Sequence, residues 1–244
     1  MGGRRMSNEF LWMIFVVLDL TSAIIIYRFF GKAGLFGLIV MSGIVCNIQV
    51  VKLVELFGFT ATLGNVLYAS IFFATDILSE MYGKKEAKKG VLLGFVTLIV
   101  ATLWMQIALF FKPSPHDTMD PALKKIFSIM PRITIASIIA YLLSQFHDVW
   151  AFHFWKRKTK GKFLWLRNNA STMVSQAIDT VVFTTIAFLG TVSTSTFLSI
   201  MLTTYFLKWL VALFDTPFLY LARKIGMRFK LYDPLEMKLW QEKV

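Results

Sequence analysis

Cysteine is almost missing from this chain of 244 residues, and the single one, Cys46, lies inside an apolar run. An intrachain disulfide and a cysteine-based zinc site are therefore excluded. No GxSxG nucleophile elbow, HExxH zinc motif, CxxC pair or phosphate-binding GxxxxGK loop occurs either, so hydrolytic, metal-dependent and ATP-hydrolysing chemistry lack the residues they use. Proline is scarce in the apolar runs. Of six in all, Pro113, Pro115, Pro121 and Pro131 share one short stretch. Acidic residues are few, 14 against 26 Lys and Arg, for a net charge of +12. What is abundant is apolar: 57% of residues are hydrophobic and the mean hydropathy is +0.64. That is too apolar for a soluble domain and places the chain among integral membrane proteins.

A membrane crossing takes roughly 17–25 mostly apolar residues. Seven stretches qualify: Phe10–Phe30, Ala33–Val51, Leu63–Met81, Gly90–Phe111, Ile133–Phe154, Ser171–Leu189 and Phe197–Leu221. The third and sixth carry the most polar atoms, and Pro217 is expected to kink the last. The first is too long for a signal-peptide core of about 7–15 residues, so no cleavable leader is expected. Basic residues gather between the runs rather than along one face, which argues against nucleic acid as a partner and for anionic lipid and topology. Seven of the 26, among them Lys52, Lys112 and Arg132, fall on one side of the predicted membrane. Eighteen fall on the other, and Lys208 lies mid-span. The positive-inside rule then puts the N-terminus outside and the C-terminus in the cytoplasm. The proline-rich stretch Lys112–Pro131 faces outward, with one short interfacial helix predicted over Ala122–Met130.

Carboxylates and amides inside these runs are the candidate functional groups, because a charge at membrane depth costs on the order of 2.5–3.5 kcal/mol. Helical spacing sorts them into stripes. The third span carries Asn65, Asp76 and Glu80, and the second Asn47 and Gln49. On the fifth, Thr134, Ser137, Tyr141, Ser144, Gln145 and Asp148 recur at three and four. Thr172, Ser175, Gln176 and Asp179 do so on the sixth, and Thr204, Tyr205, Lys208 and Asp215 share a side of the seventh. Lipid cannot satisfy these groups, so they face other helices or water. Structural readings stand beside the functional ones. Lys208 with Asp179 makes sense as a charge-neutralising ion pair, and Asn47, Gln145 and Gln176 as interhelical hydrogen-bond partners. Asp19 is expected to pair locally and Arg28 to snorkel. No metal site and no cofactor is expected.

The segment Ile71-Phe72-Phe73-Ala74-Thr75-Asp76-Ile77-Leu78-Ser79-Glu80-Met81-Tyr82-Gly83, followed by Lys84-Lys85-Glu86-Ala87-Lys88-Lys89-Gly90, resembles the signature of the queuosine-precursor transporters, also called the vitamin uptake transporter family. Arg132–Ser137 with Gln145 and Asp148, Ser171–Thr180, and Phe206-Leu207-Lys208 ahead of Pro217 resemble its later blocks. With Asn47 they follow family order from about residue 34 to 224. Two features depart from many members: an additional N-terminal span, and Leu67–Ser70 where a proline often precedes the aspartate.

The resemblance implies a non-enzymatic, all-α, multi-pass transporter of the bacterial inner membrane. It implies a six-helix core (33–224) like the substrate-binding subunits of energy-coupling-factor transporters, preceded by one extra helix (1–32) and followed by a cytoplasmic tail (225–244). The implied cargo is a 7-deazaguanine such as preQ0 or preQ1; another vitamin or purine-like solute is the alternative. Asp76, Glu80, Asn47, Gln176, Asp179, Lys208 and Gln145 are the candidate binding residues. Asp179 or Asp76 would accept the Watson–Crick edge, and Gln176, Asn47 or Lys208 would donate to O6, with Phe72, Phe73 or Tyr205 stacking on the ring. Energy would come from protons, through Glu80 or Asp76, or from a cytoplasmic ATPase module as partner.

Overall fold

A computed structural model of the chain describes residues 7–128, 130–190 and 193–235. Arg4, Arg5, Lys238 and Lys243, which the charge count included, and the outer part of the 225–244 tail lie outside the described residues. The first helix, α1 (Asn8–Gln49), has 42 residues. As one rod it would be about 63 Å long, twice the roughly 30 Å apolar thickness of a bilayer. It reverses at Gly31, whose φ of 54° and ψ of −134° are open to glycine and costly for other residues. Beyond the turn, a Cβ placed on Gly34 would sit 2.8 Å from the carbonyl oxygen of Ile26. Residues eight apart meet in that way only if the arms fold together, and the arms are the first and second predicted spans.

The connector after α1, which carried no structural prediction, is a two-stranded antiparallel hairpin, β1 (Leu53–Leu56) and β2 (Phe59–Thr62). Phe57 and Gly58 both take positive φ, 53° and 79°, as a two-residue type I′ turn demands. Then come α2 (Asn65–Met81), α3 (Gly83–Leu109), the short α4 (Asp120–Phe127), α5 (Met130–Lys158), α6 (Leu164–Phe188) and α7 (Thr194–Phe229). The predicted interfacial helix forms as α4, starting and stopping earlier than expected because Pro121 sits in its first turn, where a missing N–H costs nothing. Pro217 does not end α7, which runs on to Phe229. No break occurs in α2 at Leu67–Ser70.

By length and composition, α1, α3, α5 and α7 can cross a membrane. The third and sixth stretches, the most polar in sequence, are α2, with only 17 residues, and α6 with its amide and hydroxyl stripe. Apart from the hairpin the described chain is an all-helical membrane protein. At its centre stands α2, every residue buried except Tyr68 and packed by α1, α3, α5 and α7. The perimeter is apolar: Trp104 is 70% and Phe110 86% exposed. The perimeter is thus hydrocarbon, and the polar groups of the spans point inward beside an apolar core. Helices in such a solvent hold together by packing and interhelical hydrogen bonds rather than by hiding oil from water.

Candidate functional site

Four helices, α2, α5, α6 and α7, face one another with their polar stripes. At three depths each contributes one or more residues, so the bundle contains a ladder of three rungs. The rungs recur because the polar residues are spaced in helical turns: Tyr68, Asp76 and Glu80 on α2, and Lys208, Asp215 and Arg223 on α7.

The rung nearest the hairpin centres on Asp179. One carboxylate oxygen pairs with Lys208 Nζ. The other accepts the Tyr68 hydroxyl and, at 3.3 Å, that of Ser144. Lys208 Nζ also lies 4.4 Å from the Tyr68 ring centroid, in cation–π range. The Asp179–Lys208 pair foreseen from sequence thus forms. Beside it opens a small cavity whose wall includes Asn47, Asn65, Tyr68, Phe183, Asp179 and Lys208. Gly64 closes one side, so near α1 that a Cβ there would meet the Cys46 carbonyl oxygen at 2.5 Å. Asn47 donates to Gly43 O at 2.8 Å and to Cys46 Sγ at 3.7 Å, which fixes its amide and leaves Oδ1 for a ligand, with the N–H on sulfur the weaker of its two bonds.

The middle rung holds Asp76, Asp148 and Asp215, all at most 1% exposed. Asp76 Oδ2 accepts from Thr172 at 3.3 Å, and Asp215 Oδ1 from Asn168 at 2.8 Å. Gln145 Oε1 accepts from Thr75 at 3.2 Å. Among the described residues no His, Cys, Asp and Glu side chains are grouped to hold a metal ion.

The third rung is an ion cluster around Glu80. Arg167 Nη2 lies 2.5 Å and Lys156 Nζ 3.2 Å from Glu80 Oε2, with Arg223 Nε 3.5 Å from Oε1. Arg167 is fully buried and also donates to the Gly161 and Lys162 carbonyls, while Lys156 caps the Glu80 and Ser79 carbonyls. Four segments are fastened at one carboxylate.

Of the seven candidates, then, Asn47, Asp179 and Lys208 line the cavity together. Asp76 and Gln145 lie in the middle rung, and Glu80 is in the third. Gln176 sits between the first two, fully buried with neither amide atom partnered. The aromatic faces on the cavity are Tyr68 and Phe183; Phe72 and Phe73 are buried elsewhere, and Tyr205 donates to Met173 O at 3.4 Å. Asp19 does not pair locally. It is buried against Ser70 of α2. Tyr68, Lys156, Arg167 and Phe183 escaped the sequence reading. Arg167 and Lys156 sit in a basic run that reads as a solvated loop, and only their spacing from Ser171 (four residues) and Asp148 (eight) on the helices betrays an inward direction.

Residues 62–222 match the family described as "Putative vitamin uptake transporter". The chain is 44% identical over 221 residues to a "Probable queuosine precursor transporter" of Bacillus subtilis (strain 168), covering 90% of this chain and 96% of the relative. It is 31% identical over 164 residues to the "Queuosine precursor transporter" of Escherichia coli (strain K12), covering 66% of this chain and 70% of that one. A "Probable queuosine precursor transporter" of Haemophilus influenzae is 32% identical over 133 residues, 54% of each chain. No solved structure matches. A match across most of the bundle and a relative similar almost end to end leave one conclusion: the chain belongs to the vitamin uptake transporter family.

Proposed function

We propose that this protein imports queuosine precursors, 7-deazaguanines such as preQ0 and preQ1, across the bacterial inner membrane. Seven crossings with the hairpin end outside and the Glu80 end in the cytoplasm suit the strong basic bias of the latter. The helical core would be of the kind used by energy-coupling-factor substrate-binding subunits, with the first arm of α1 added. The observation that carries the reading is the cavity beside Asp179. Its wall combines a carboxylate, a cation, an amide and two aromatic rings, the set a guanine-like ring requires.

In this reading Asp179 accepts the N1–H and exocyclic amine as a bidentate pair, and Lys208 and Asn47 donate to O6. Both oxygens of Asp179 are engaged before the solute arrives. Binding is therefore an exchange: the ring edge displaces Tyr68 and Lys208, and the freed ammonium turns to O6. Tyr68 and Phe183 flank the ring. Gln176 lies next in line for a solute moving from the cavity toward the middle rung.

The test is rescue of bacteria that neither make nor import queuosine precursors. Cells expressing the chain receive preQ1 and their tRNA is assayed for queuosine. Restored modification that disappears with Asp179→Asn, at equal protein in the membrane, is the expected result. Queuosine absent despite abundant wild-type protein sinks the assignment of cargo.

A further inference from the structure

The middle rung takes no part in the cavity, yet its buried carboxyls lack the cations that the other two rungs have. Asp148 is fully buried and neither of its oxygens accepts a hydrogen bond. The hydroxyls of Ser171, Thr172 and Ser175 surround it but donate elsewhere: to Asn168 O at 3.1 Å, Asp76 Oδ2 at 3.3 Å and Ser171 O at 2.8 Å. Ser175 is shared in addition with His147 Nδ1 at 2.9 Å. Facing Asp148 from α2 is the Asp76 carboxyl, close enough to share a proton, with Asp76 Oδ1 unpartnered. From α7 comes Asp215, held on one oxygen by Asn168 and bare on the other. Among the described residues no Lys, Arg or His completes the rung with an ion pair.

Two independent amides point to the same place. Gln145 is one turn from Asp148 on α5, and its Oε1 takes the hydroxyl of Thr75, the residue before Asp76. Its Nε2 is therefore held, unpartnered and fully buried, between the two carboxyl-bearing turns. Gln176 stands one turn from Thr172 on the path to Asp179, with both amide atoms open.

Uncompensated carboxylates at this depth are not tolerated as a group of anions. Over the whole ladder, Asp76, Asp148, Asp179, Asp215 and Glu80 face Lys156, Arg167, Lys208 and Arg223, so five acids meet four bases. One proton makes the ladder neutral. Asp19, against Ser70, lies outside these four helices.

We propose that the Asp76–Asp148 pair, with Asp215 behind it, is a proton-binding site separate from the solute cavity, and that import is coupled to the proton it carries. The coupling half rests on the import reading above; the proton site does not. Gln176, between the carboxyl pair and Asp179, is the positioning residue that links them. When a solute draws Lys208 away from Asp179 to its own O6, the net charge is unchanged, but the Asp179 anion loses its counter-ion, and the more negative potential strengthens proton binding at the second rung.

The experiment has two readouts on the purified full chain in lipid. An infrared titration follows the C=O stretch of protonated carboxyl groups without any solute. The expected result is a protonated-carboxyl band at neutral pH that is lost or shifted in Asp76→Asn and in Asp148→Asn, while any Asp19 contribution stays. A wild-type chain without such a band, or a band unchanged in both variants, overturns the proton site. In proteoliposomes, preQ1 should accumulate up to about ten-fold per unit of pH difference, acid outside, for one proton per solute. Asp148→Asn should still exchange preQ1 across the membrane but no longer accumulate it. Accumulation driven by a sodium gradient, or gained only with an ATPase module and no gradient, overturns the coupling. Wild-type protein that does not exchange preQ1 at all sinks the import reading instead, and the infrared result then decides the proton site alone.

Discussion

Glu80 and Asp148 are both buried carboxylates at helix interfaces of one bundle, and their surroundings are opposite. Glu80 has more cation than it can use, two of the three nearly or fully buried. Asp148 has none, and no donor either. Position in the ladder explains the contrast. The Glu80 rung lies at the end where α5 and α6 run into the basic loop Lys156–Arg167, so cations are to hand. The Asp148 rung lies a turn or more deeper, where only side chains of the spans can reach. A saturated carboxylate is a fastener. A starved one is free to change its protonation or its partner, which is what a moving machine needs. Burial alone does not separate structural charge from working charge; the partners do.

The comparison is broken most directly at Glu80. Glu80→Gln leaves Lys156 and Arg167 buried without their counter-ion, and losing one partner of a buried pair costs about 3–5 kcal/mol. A large drop in melting temperature in detergent, with little protein reaching the membrane, is expected. Asp179→Asn should come next: uptake at low solute concentration falls by at least about ten-fold, the value of one lost charge-assisted hydrogen bond of roughly 1.5–3 kcal/mol, while the protein still folds. Initial-rate uptake normalised to membrane protein measures it. Asp148→Asn should be the mirror of Glu80→Gln. The isosteric amide removes an unpartnered acid and should change stability by no more than about 1 kcal/mol, in either direction. If the Glu80 and Asp148 variants melt alike, the distinction between fastener and working charge is wrong.

The smallest effect is expected at Glu86, which lies outside the spans, 3.0 Å from Lys32 and 2.6 Å from Lys89. Hydrogen bonds from Lys89 and then Lys32 hold its carboxyl below its ordinary value of 4.5. A lowered acid stabilises the fold above its unfolded value and loses that contribution as the pH falls through the lowered one. Both lysines are well exposed. Glu86→Gln should therefore cost no more than about 1 kcal/mol at neutral pH, less in high salt and nothing in strong acid. Melting curves against pH and salt check this.

Periodicity made the stripes of α5, α6 and α7 legible, because a polar atom every three or four residues has only one inward face. It also marked the Asp179–Lys208 pair, since lone charges of opposite sign on neighbouring spans have nowhere else to go. The depth of each residue, and so which rung it joins, was not legible. Asp76 and Glu80 share a face on α2, yet one turn places them in different chemistry. Composition hid the rest. Tyr68 sits in a run of apolar neighbours, and Arg167 looks like one more positive charge in a loop. The hairpin has strands of four residues, too short for alternation to stand out beside the long helices.

The reversal at Gly31 brings Tyr27 to the far end of the chain in sequence. Its hydroxyl donates to the Leu231 carbonyl at 2.6 Å across 204 residues, and Met81 O accepts from Asp233 N at 2.9 Å nearby. On a ribosome the first helical hairpin enters the bilayer long before Leu231 has been synthesised. The bundle is therefore latched only when its last helix arrives, and a shortened chain would leave the first helices inserted but open.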